Sequence, residues 1–502
     1  MNKMTSVTAL YAALALLLAG CSLAPRYERP AVPLAAGYPR GAQPVNAPQA
    51  AVAELGWKQV FPDARLQRLI QIALDNNQDL QLAALNVRRA QVQFRIERAA
   101  QWPTLNAALR QSKERPEVSG DIAAYGVGIT AYELDLFGRI QSLKEAALAS
   151  YLGTQASRKT VQIGLVAAVA SGYLTLLADD SLYDVAWQTV QSRSASLSLI
   201  QLRHANGIGT ETDLRQAEGL LENARASLAQ YERQRAQDLN ALVLLLGVPS
   251  WPADLAQGDG ALPALDGFLA DLPAGLPSAL LTHRPDIEAA EHRLMAANAD
   301  IGAARAAFFP RVELTGSFGR ASTGLSNLFN EATRAWSFTP QITVPIFDFG
   351  ANQANLDAAK VDREIATAQY RKTIQVAFSE VADALAGSAT WKEQLRATQA
   401  QAQSARAAFA LLDLRYRNGG VDYLAVMDAQ RTLFEAEQAL VQVRMAALHN
   451  RITLYKVLGG GWSAETVRLA AHDRYGAAQG RTSAGSGLST SSFSAAASPT
   501  RQ

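Results

Sequence analysis

The 502-residue chain predicts a mainly α-helical protein with a transmembrane β part, and three observations carry that expectation. First, landmark dipeptides recur at one spacing. Phe137-Gly138 and Phe349-Gly350, Asn206-Gly207 and Asn418-Gly419, and Leu246-Gly247 and Leu458-Gly459 all share a numbering offset of 212. A direct tandem repeat of two units follows. Second, proline is absent between Pro116 and Pro249 and again between Pro345 and Pro499, which permits very long helices. Third, just ahead of each Phe-Gly mark the hydrophobic period switches to two, as in a strand with two unlike faces.

The amino terminus reads as an address. Lys3 precedes an apolar stretch from Val7 to Ala19 that ends in Leu18-Ala19-Gly20-Cys21. A charged start, a short apolar run and small residues before the only cysteine form a lipoprotein signal over residues 1–20. Cleavage before Cys21 would leave its thiol to carry a covalent lipid. Ser22 stands where an aspartate commonly holds bacterial lipoproteins at the inner membrane, so the outer membrane is the expected location. Residues 21–62 hold seven prolines and no helical period, and predict an extended strap.

Repeat 1 spans residues 63–250 and repeat 2 spans 283–460, joined by a proline-bearing linker at 251–282. Each repeat has one long proline-free segment, 139–205 and 351–417, rich in Ala, Gln, Arg and Leu. The two are equal in length, and at 1.5 Å per residue each would make a helix about 100 Å long. Ile374, Phe378, Val381 and Leu385 step by four, three and four, as in a coiled-coil seam. The flanking helical segments of repeat 1, about 67–101 and 213–246, together match the long helix in length. The expected unit is therefore one long helix against two shorter stacked ones. The run 163–178 carries no charge, but it is short of a membrane span, and its Gly and Ala content suits close helix packing. Residues 461–502, rich in Ser, Gly and Ala, predict a flexible tail.

The strands fall at about 104–137 and 311–349. Trp336, Phe338, Ile342, Val344 and Ile346 alternate with Ser337, Thr339, Gln341 and Thr343, and Val312, Leu314, Gly316 and Phe318 alternate with polar neighbours. In repeat 1, Tyr125, Val127 and Ile129 alternate until the phase slips near Thr130-Ala131, which predicts a bulge. Each repeat thus carries one two-stranded ribbon of transmembrane length. Four strands cannot close a barrel, and an open edge cannot sit in lipid. Subunits must pool their ribbons: eight strands from a dimer or twelve from a trimer. Ile342 and Val344 are the expected lipid-facing residues near the midplane.

Composition removes other classes. Forty-seven Lys+Arg against 45 Asp+Glu leaves +2, no general field for nucleic acid. One cysteine and five scattered histidines offer no metal-ligand spacing, and neither GxSxG, GxGxxG nor a P-loop occurs. No enzyme, metal site or cofactor beyond the lipid on Cys21 is expected. A structural coiled-coil lipoprotein, tethering the outer membrane to periplasmic partners, is the alternative; it has no need of membrane-length ribbons.

Four strings carry a resemblance: Glu133-Leu-Asp-Leu-Phe-Gly-Arg139, Pro345-Ile-Phe-Asp-Phe-Gly350, Leu414-Arg-Tyr-Arg-Asn-Gly419 and Tyr423-Leu-Ala-Val-Met-Asp-Ala-Gln-Arg431. With the lipobox and the duplication, the chain resembles the TolC-like outer-membrane factor family, in its lipoprotein drug-efflux branch. The resemblance implies a homotrimer with a shared 12-stranded β-barrel in the outer membrane and a trimeric α-helical barrel in the periplasm. It implies a passive duct that receives drugs or other small molecules from a periplasmic adaptor and an inner-membrane pump. It also places a periplasmic gate at Leu424 and Asp428, with Tyr416 and Arg431 on positions that link neighbouring helices. The offset of 212 assigns Leu424, Asp428, Tyr416 and Arg431 the counterparts Thr212, Gln216, His204 and Gly219, which lack both the acid and the bulky apolar plug. The simpler reading of Asp428 is a surface acid paired with Arg431 three residues on.

Overall fold

The structure is a computed structural model and describes residues 22–33, 56–112, 122–253, 255, 262–265, 267–269, 284–323, 327–330 and 333–460. Cys21, the signal segment, the later part of the strap, most of the linker and the tail lie outside the described residues.

Among the described residues, eight helices and four strands follow one another: α1 (Trp57–Val60), α2 (Ala64–Asn76), α3 (Gln78–Ala99), β1 (Leu105–Ser112), β2 (Ile122–Leu134), α4 (Arg139–Ala205), α5 (Glu211–Leu246), α6 (Pro285–Ala306), β3 (Arg311–Ser322), β4 (Arg334–Thr343), α7 (Ala351–Arg417) and α8 (Tyr423–Val457). The long helices α4 and α7 occupy the expected segments. Each starts after a glycine at positive φ, Gly138 (71°) and Gly350 (85°), a backbone that disfavours any side chain. An aspartate supports each start: Asp135 accepts from the Gln141 amide at 2.8 Å, and Asp348 from the Gly350 and Asn352 amides at 3.0 and 2.8 Å. Each ends at an Asn-Gly pair, Gly207 (73°) and Gly419 (75°), that turns the chain into the next helix. Thr210 and Asp422 then cap α5 and α8 through the Asp213 and Ala425 amides.

The helix expected over 67–101 is broken. Asn77 is extended (φ −61°, ψ 129°), and its side chain accepts from the Leu80 amide at 3.0 Å to start α3. The same side chain donates to the Leu245 carbonyl at 3.0 Å, so α3 begins where α5 ends. Repeat 2 makes an analogous joint, where the Arg284 guanidinium donates to the Val457 carbonyl at 3.1 Å between α8 and α6. Each long helix therefore packs against two shorter ones stacked end to end. Neighbouring contacts run α3–α4–α6–α7 in the half next to the strands and α5–α4–α8–α7 in the far half. The uncharged stretch of α4 lies where the halves meet: Val169, Ala170 and Leu174 are fully buried with Leu66, Leu69, Leu246 and Tyr455. The apolar window of α4, 61% buried, is the core of a helix bundle.

The strap residues 22–33 run along α6. The carbonyls of Leu23 and Pro25 accept from Arg305 (3.0 Å) and Asn298 (2.7 Å), and Arg29 pairs bidentately with Glu291 at 2.7 and 2.8 Å.

The strands form one antiparallel sheet in the order β1-β2-β3-β4, so the two ribbons are joined through β2 and β3. The phase slip is a bulge: the β2–β3 register shifts between Ile129 and Tyr132, Ala131 has φ 47°, and its amide donates to Thr315 Oγ1 at 3.1 Å. Across the sheet the registers align Ala107, Val127, Phe318 and Trp336, then Leu105, Ile129, Gly316 and Phe338, then Leu134, Val312 and Ile342. Those rows are apolar, and the row beyond them toward the strand tips aligns Leu109 and Tyr125 with Arg320 and Arg334. The other face aligns Asn106, Gly128, Ser317 and Ser337, with the two serine hydroxyls 2.7 Å apart, and places Thr315 against Thr339. A Cβ on Gly126 or Gly128, on the polar face, would come within 2.5 or 2.7 Å of the β3 backbone, so β2 and β3 close tightly there.

The register corrects the midplane assignment. Ile342 pairs with Val312 at the helix-proximal end of the sheet, and Val344 lies beyond β4, which stops at Thr343 before Pro345. Phe338, opposite Gly316, is the apolar-face residue nearest mid-strand.

Candidate functional site

The far ends of the two helical hairpins, α4–α5 and α7–α8, come together at residues 196–220 and 409–431. Tyr416, Tyr423, Val426 and Met427 are buried with Ile200 of α4 and Ala217 of α5. This cluster orients α8: the residues stepping 423, 426, 427, 430 and 434 point inward, and those stepping 424, 428 and 431 point outward. The structure therefore brings Leu424, Asp428 and Arg431 onto one exposed stripe, with Leu424 54% exposed despite its size. Asp428 Oδ1 is 2.9 Å from Arg431 Nη2, an exposed pair within one helix. Among the described residues of one chain, Arg431 thus pairs with its own Asp428.

Tyr416 is placed differently. Its side chain is buried, its ring centroid lies 5.4 Å from that of Tyr423, and the Arg203 guanidinium sits over it at 4.8 Å. It contacts α8 and α4 at once. Burial, with Tyr416 beside it, pushes the Tyr423 hydroxyl up to about 12, so this ring stays neutral over any ordinary pH. The repeat counterparts Thr212, Gln216 and Gly219 lie on α5 without acid or plug, and His204 lies 3.1 Å from Glu211. The four residues that the resemblance placed at a gate and its links thus stand in local strings. The α4 residues that meet them were missed, because no motif marks contacts between segments so distant in the chain.

One electrostatic feature lies higher in the shaft. Asp179, 2% exposed on α4, lies beside the carboxyl of Asp238 on α5, while its Oδ2 has no partner. Asp180 pairs with Arg235, and Asp184 is near. Burial, followed by the carboxylate of Asp238, pushes the Asp179 carboxyl well above its usual range. Because the folded value is raised, folding takes up a proton, and stability falls as pH rises from about 3.8 through neutrality. Asp179→Asn is expected to raise stability by about 1–3 kcal/mol at pH 8 and to change little at pH 3.5. Thermal melts of both proteins at the two pH values check this; an equal shift at both would mean that ionisation is not the cause.

Among the described residues, no group of three His, Cys, Asp or Glu side chains is placed to hold a metal ion. The sequence pattern of the family described as outer membrane efflux protein matches residues 69–248 and 276–460. The probable efflux pump outer membrane protein TtgC of Pseudomonas putida is 44% identical over 463 residues, covering 90% of this chain and 95% of that one. Outer membrane protein OprJ of Pseudomonas aeruginosa is 44% identical over 460 residues, covering 89% and 95%. Among solved structures, the open state of the Neisseria gonorrhoeae MtrE outer membrane channel superimposes with a TM-score of 0.80 at 38% identity, over 88% of this chain and 98% of that one.

Proposed function

The chain belongs to the outer membrane efflux protein family, and from that premise we propose that three copies form the passive outer-membrane duct of a tripartite efflux assembly. It is an outer-membrane efflux channel and not an enzyme. In the proposed assembly a periplasmic adaptor and an inner-membrane pump deliver drugs or other small molecules and supply the energy.

The observation that carries the trimer is the sheet. Its apolar face is suited to lipid, yet among the described residues β1 and β4 each leave one edge unpaired. Joining β1 of one copy to β4 of the next gives a heterologous contact that closes into a ring. An eight-stranded barrel would be filled by its own side chains, whereas twelve strands leave a lumen, which favours three copies over two. The helices offer matching edges. Leu82, Leu85, Val92 and Ile96 are exposed along α3, and Val361, Ile365 and Val376 along α7, at opposite ends of the α3–α4–α6–α7 row. A tether without a duct leaves these faces and the ribbons unexplained. Extraction in mild detergent should yield a threefold oligomer that is a hollow cylinder in projection; a rod or a globule would defeat the proposal.

The proposal includes a lipid on Cys21. Mass spectrometry of protein purified from the outer membrane should find an amino terminus at Cys21 with added acyl mass. An unmodified terminus elsewhere removes the anchor. Cys21→Ala is expected to alter anchoring while leaving the duct assembled, since the barrel has its own hold on the membrane.

A further inference from the structure

Arg193 is a buried cation without a carboxylate. It lies on α4, 2% exposed, and makes no ion pair among the described residues. Its Nη1 donates to the Leu220 carbonyl of α5 at 2.7 Å, its guanidinium carbon lies 5.2 Å from the ring centroid of Phe434 on α8, and its Nε has no partner. A guanidinium removed from water at such a place is held by the Phe434 ring and one carbonyl, with the Tyr423 hydroxyl also near it. Burial accordingly draws its pKa below the ordinary arginine value.

The residue is one rung of a series. Arg193, Ser196, Ile200 and Arg203 step by three, four and three along one face of α4, and every one meets the α7–α8 hairpin. Arg193 meets Phe434, Ser196 accepts from the Gln430 amide at 3.0 Å, Ile200 packs in the Tyr416–Tyr423 cluster, and Arg203 covers Tyr416. The repeat supplies an independent comparison. At the repeat offset the counterpart of Arg193 is Ala405, which packs with Ala402 and Ala436. A long α-hairpin of this kind therefore needs no arginine at that position for its own packing. Repeat 1 has placed a cation there that reaches α8, six residues beyond Asp428 and ten beyond Leu424.

We propose that Arg193 is a positioning residue for the periplasmic tip: by clasping Phe434 it holds the repeat-2 helix that carries Leu424 and Asp428 against the repeat-1 hairpin, and so favours the narrow state. The proposal rests on the duct reading above. The clasp is made by cation and ring, with the Tyr423 hydroxyl of α8 near the guanidinium and no carboxylate paired to it.

The test is the resting conductance of the purified full-length assembly in planar bilayers for the parent, Arg193→Met, Phe434→Leu and Phe434→Tyr. Methionine keeps the length and the apolar stem without the charge; leucine keeps the buried bulk without the ring; tyrosine keeps the ring. Arg193→Met and Phe434→Leu should each raise resting conductance by about thirtyfold, the scale of one desolvated cation–π contact, and Phe434→Tyr should match the parent. Parent-like conductance in Phe434→Leu, or equal leakage in Phe434→Tyr and Phe434→Leu, would overturn the clasp, because packing alone would then explain the site. If Arg193→Met does not assemble, the two Phe434 variants decide. A parent that forms no pores would instead sink the duct reading, a separate and distinguishable failure.

Discussion

Phe338→Arg is expected to prevent stable assembly in the outer membrane, whereas Thr339→Arg, one residue on, should assemble at parental levels. Phe338 is 61% exposed in a row that runs apolar across all four strands, and it lies opposite Gly316 near the middle of β4. A charge at the lipid-facing midplane costs roughly 2–4 kcal/mol in each subunit, which in a trimer is incurred three times around the ring. Thr339 faces the other way, opposite Thr315, on the face lined by serine, threonine and glycine. An arginine there would project into a watery lumen. Ile342→Arg should fall between the two, because Ile342 is close to the helix-proximal end of the strand and the cost declines toward the interface. The measurement is the amount of heat-resistant oligomer recovered from outer membranes. Equal recovery of the Phe338 and Thr339 variants would reverse or abolish the assignment of faces.

The correction from Ile342 to Phe338 shows where the amino-acid sequence is legible and where it is not. Alternation identifies the face, because side chains on a strand have a period of two and any long apolar phase must share one side. It does not give depth, since depth depends on which residues pair across the sheet and where the helices begin. The long helices were readable to the residue because Phe-Gly and Asn-Gly pairs mark both ends, and their positive φ requirement leaves a sharp trace. The break at Asn77 was not readable. An asparagine between helical stretches is ambiguous until the distant Leu245 carbonyl is seen to take its amide. The tip behaves the same way. Leu424, Asp428 and Arg431 share a local string and a helical stripe, so their proximity follows from spacing. The stripe from Arg193 to Arg203 gains meaning only when α8 is laid against it, and a three-four-three step on its own marks nothing but a helix face.

The internal duplication adds a constraint on the tip. If the two repeats were equivalent there, a trimer would present six similar hairpins and a gate of sixfold character. They are not equivalent: α8 carries Leu424 and Asp428, and α5 carries Thr212 and Gln216. In the proposed trimer, any narrowing that used the acid and the leucine would therefore be threefold, and the hairpin that carries it would be held by the other one. On that proposal, opening would amount to a change in how α7–α8 leans on α4–α5, a rigid-body shift of one hairpin against its neighbour.

The gate itself gives the last expected result. Leu424→Ala combined with Asp428→Ala should raise single-channel conductance and weaken block by multivalent cations about tenfold, on the order of 0.5 kcal/mol of exposed charge interaction lost in each of three subunits. Three Asp428 carboxylates near a common axis would repel each other and attract cations, and Leu424, one turn away on the same exposed stripe, would narrow the passage beside them. The pair with Arg431 at 2.9 Å refines this expectation. With its own guanidinium in contact, each acid presents less net charge to the lumen, so Arg431→Ala should strengthen cation block, while Asp428→Ala alone should leave an uncompensated cation and shift selectivity toward anions. Gln216, the uncharged counterpart on α5, should change block little when replaced by alanine. The signs oppose one another across three variants of one protein in one bilayer assay, and loss of stability cannot imitate that pattern. Should Arg431→Ala weaken block, or the double variant conduct like its parent, the ring of acids does not line the passage.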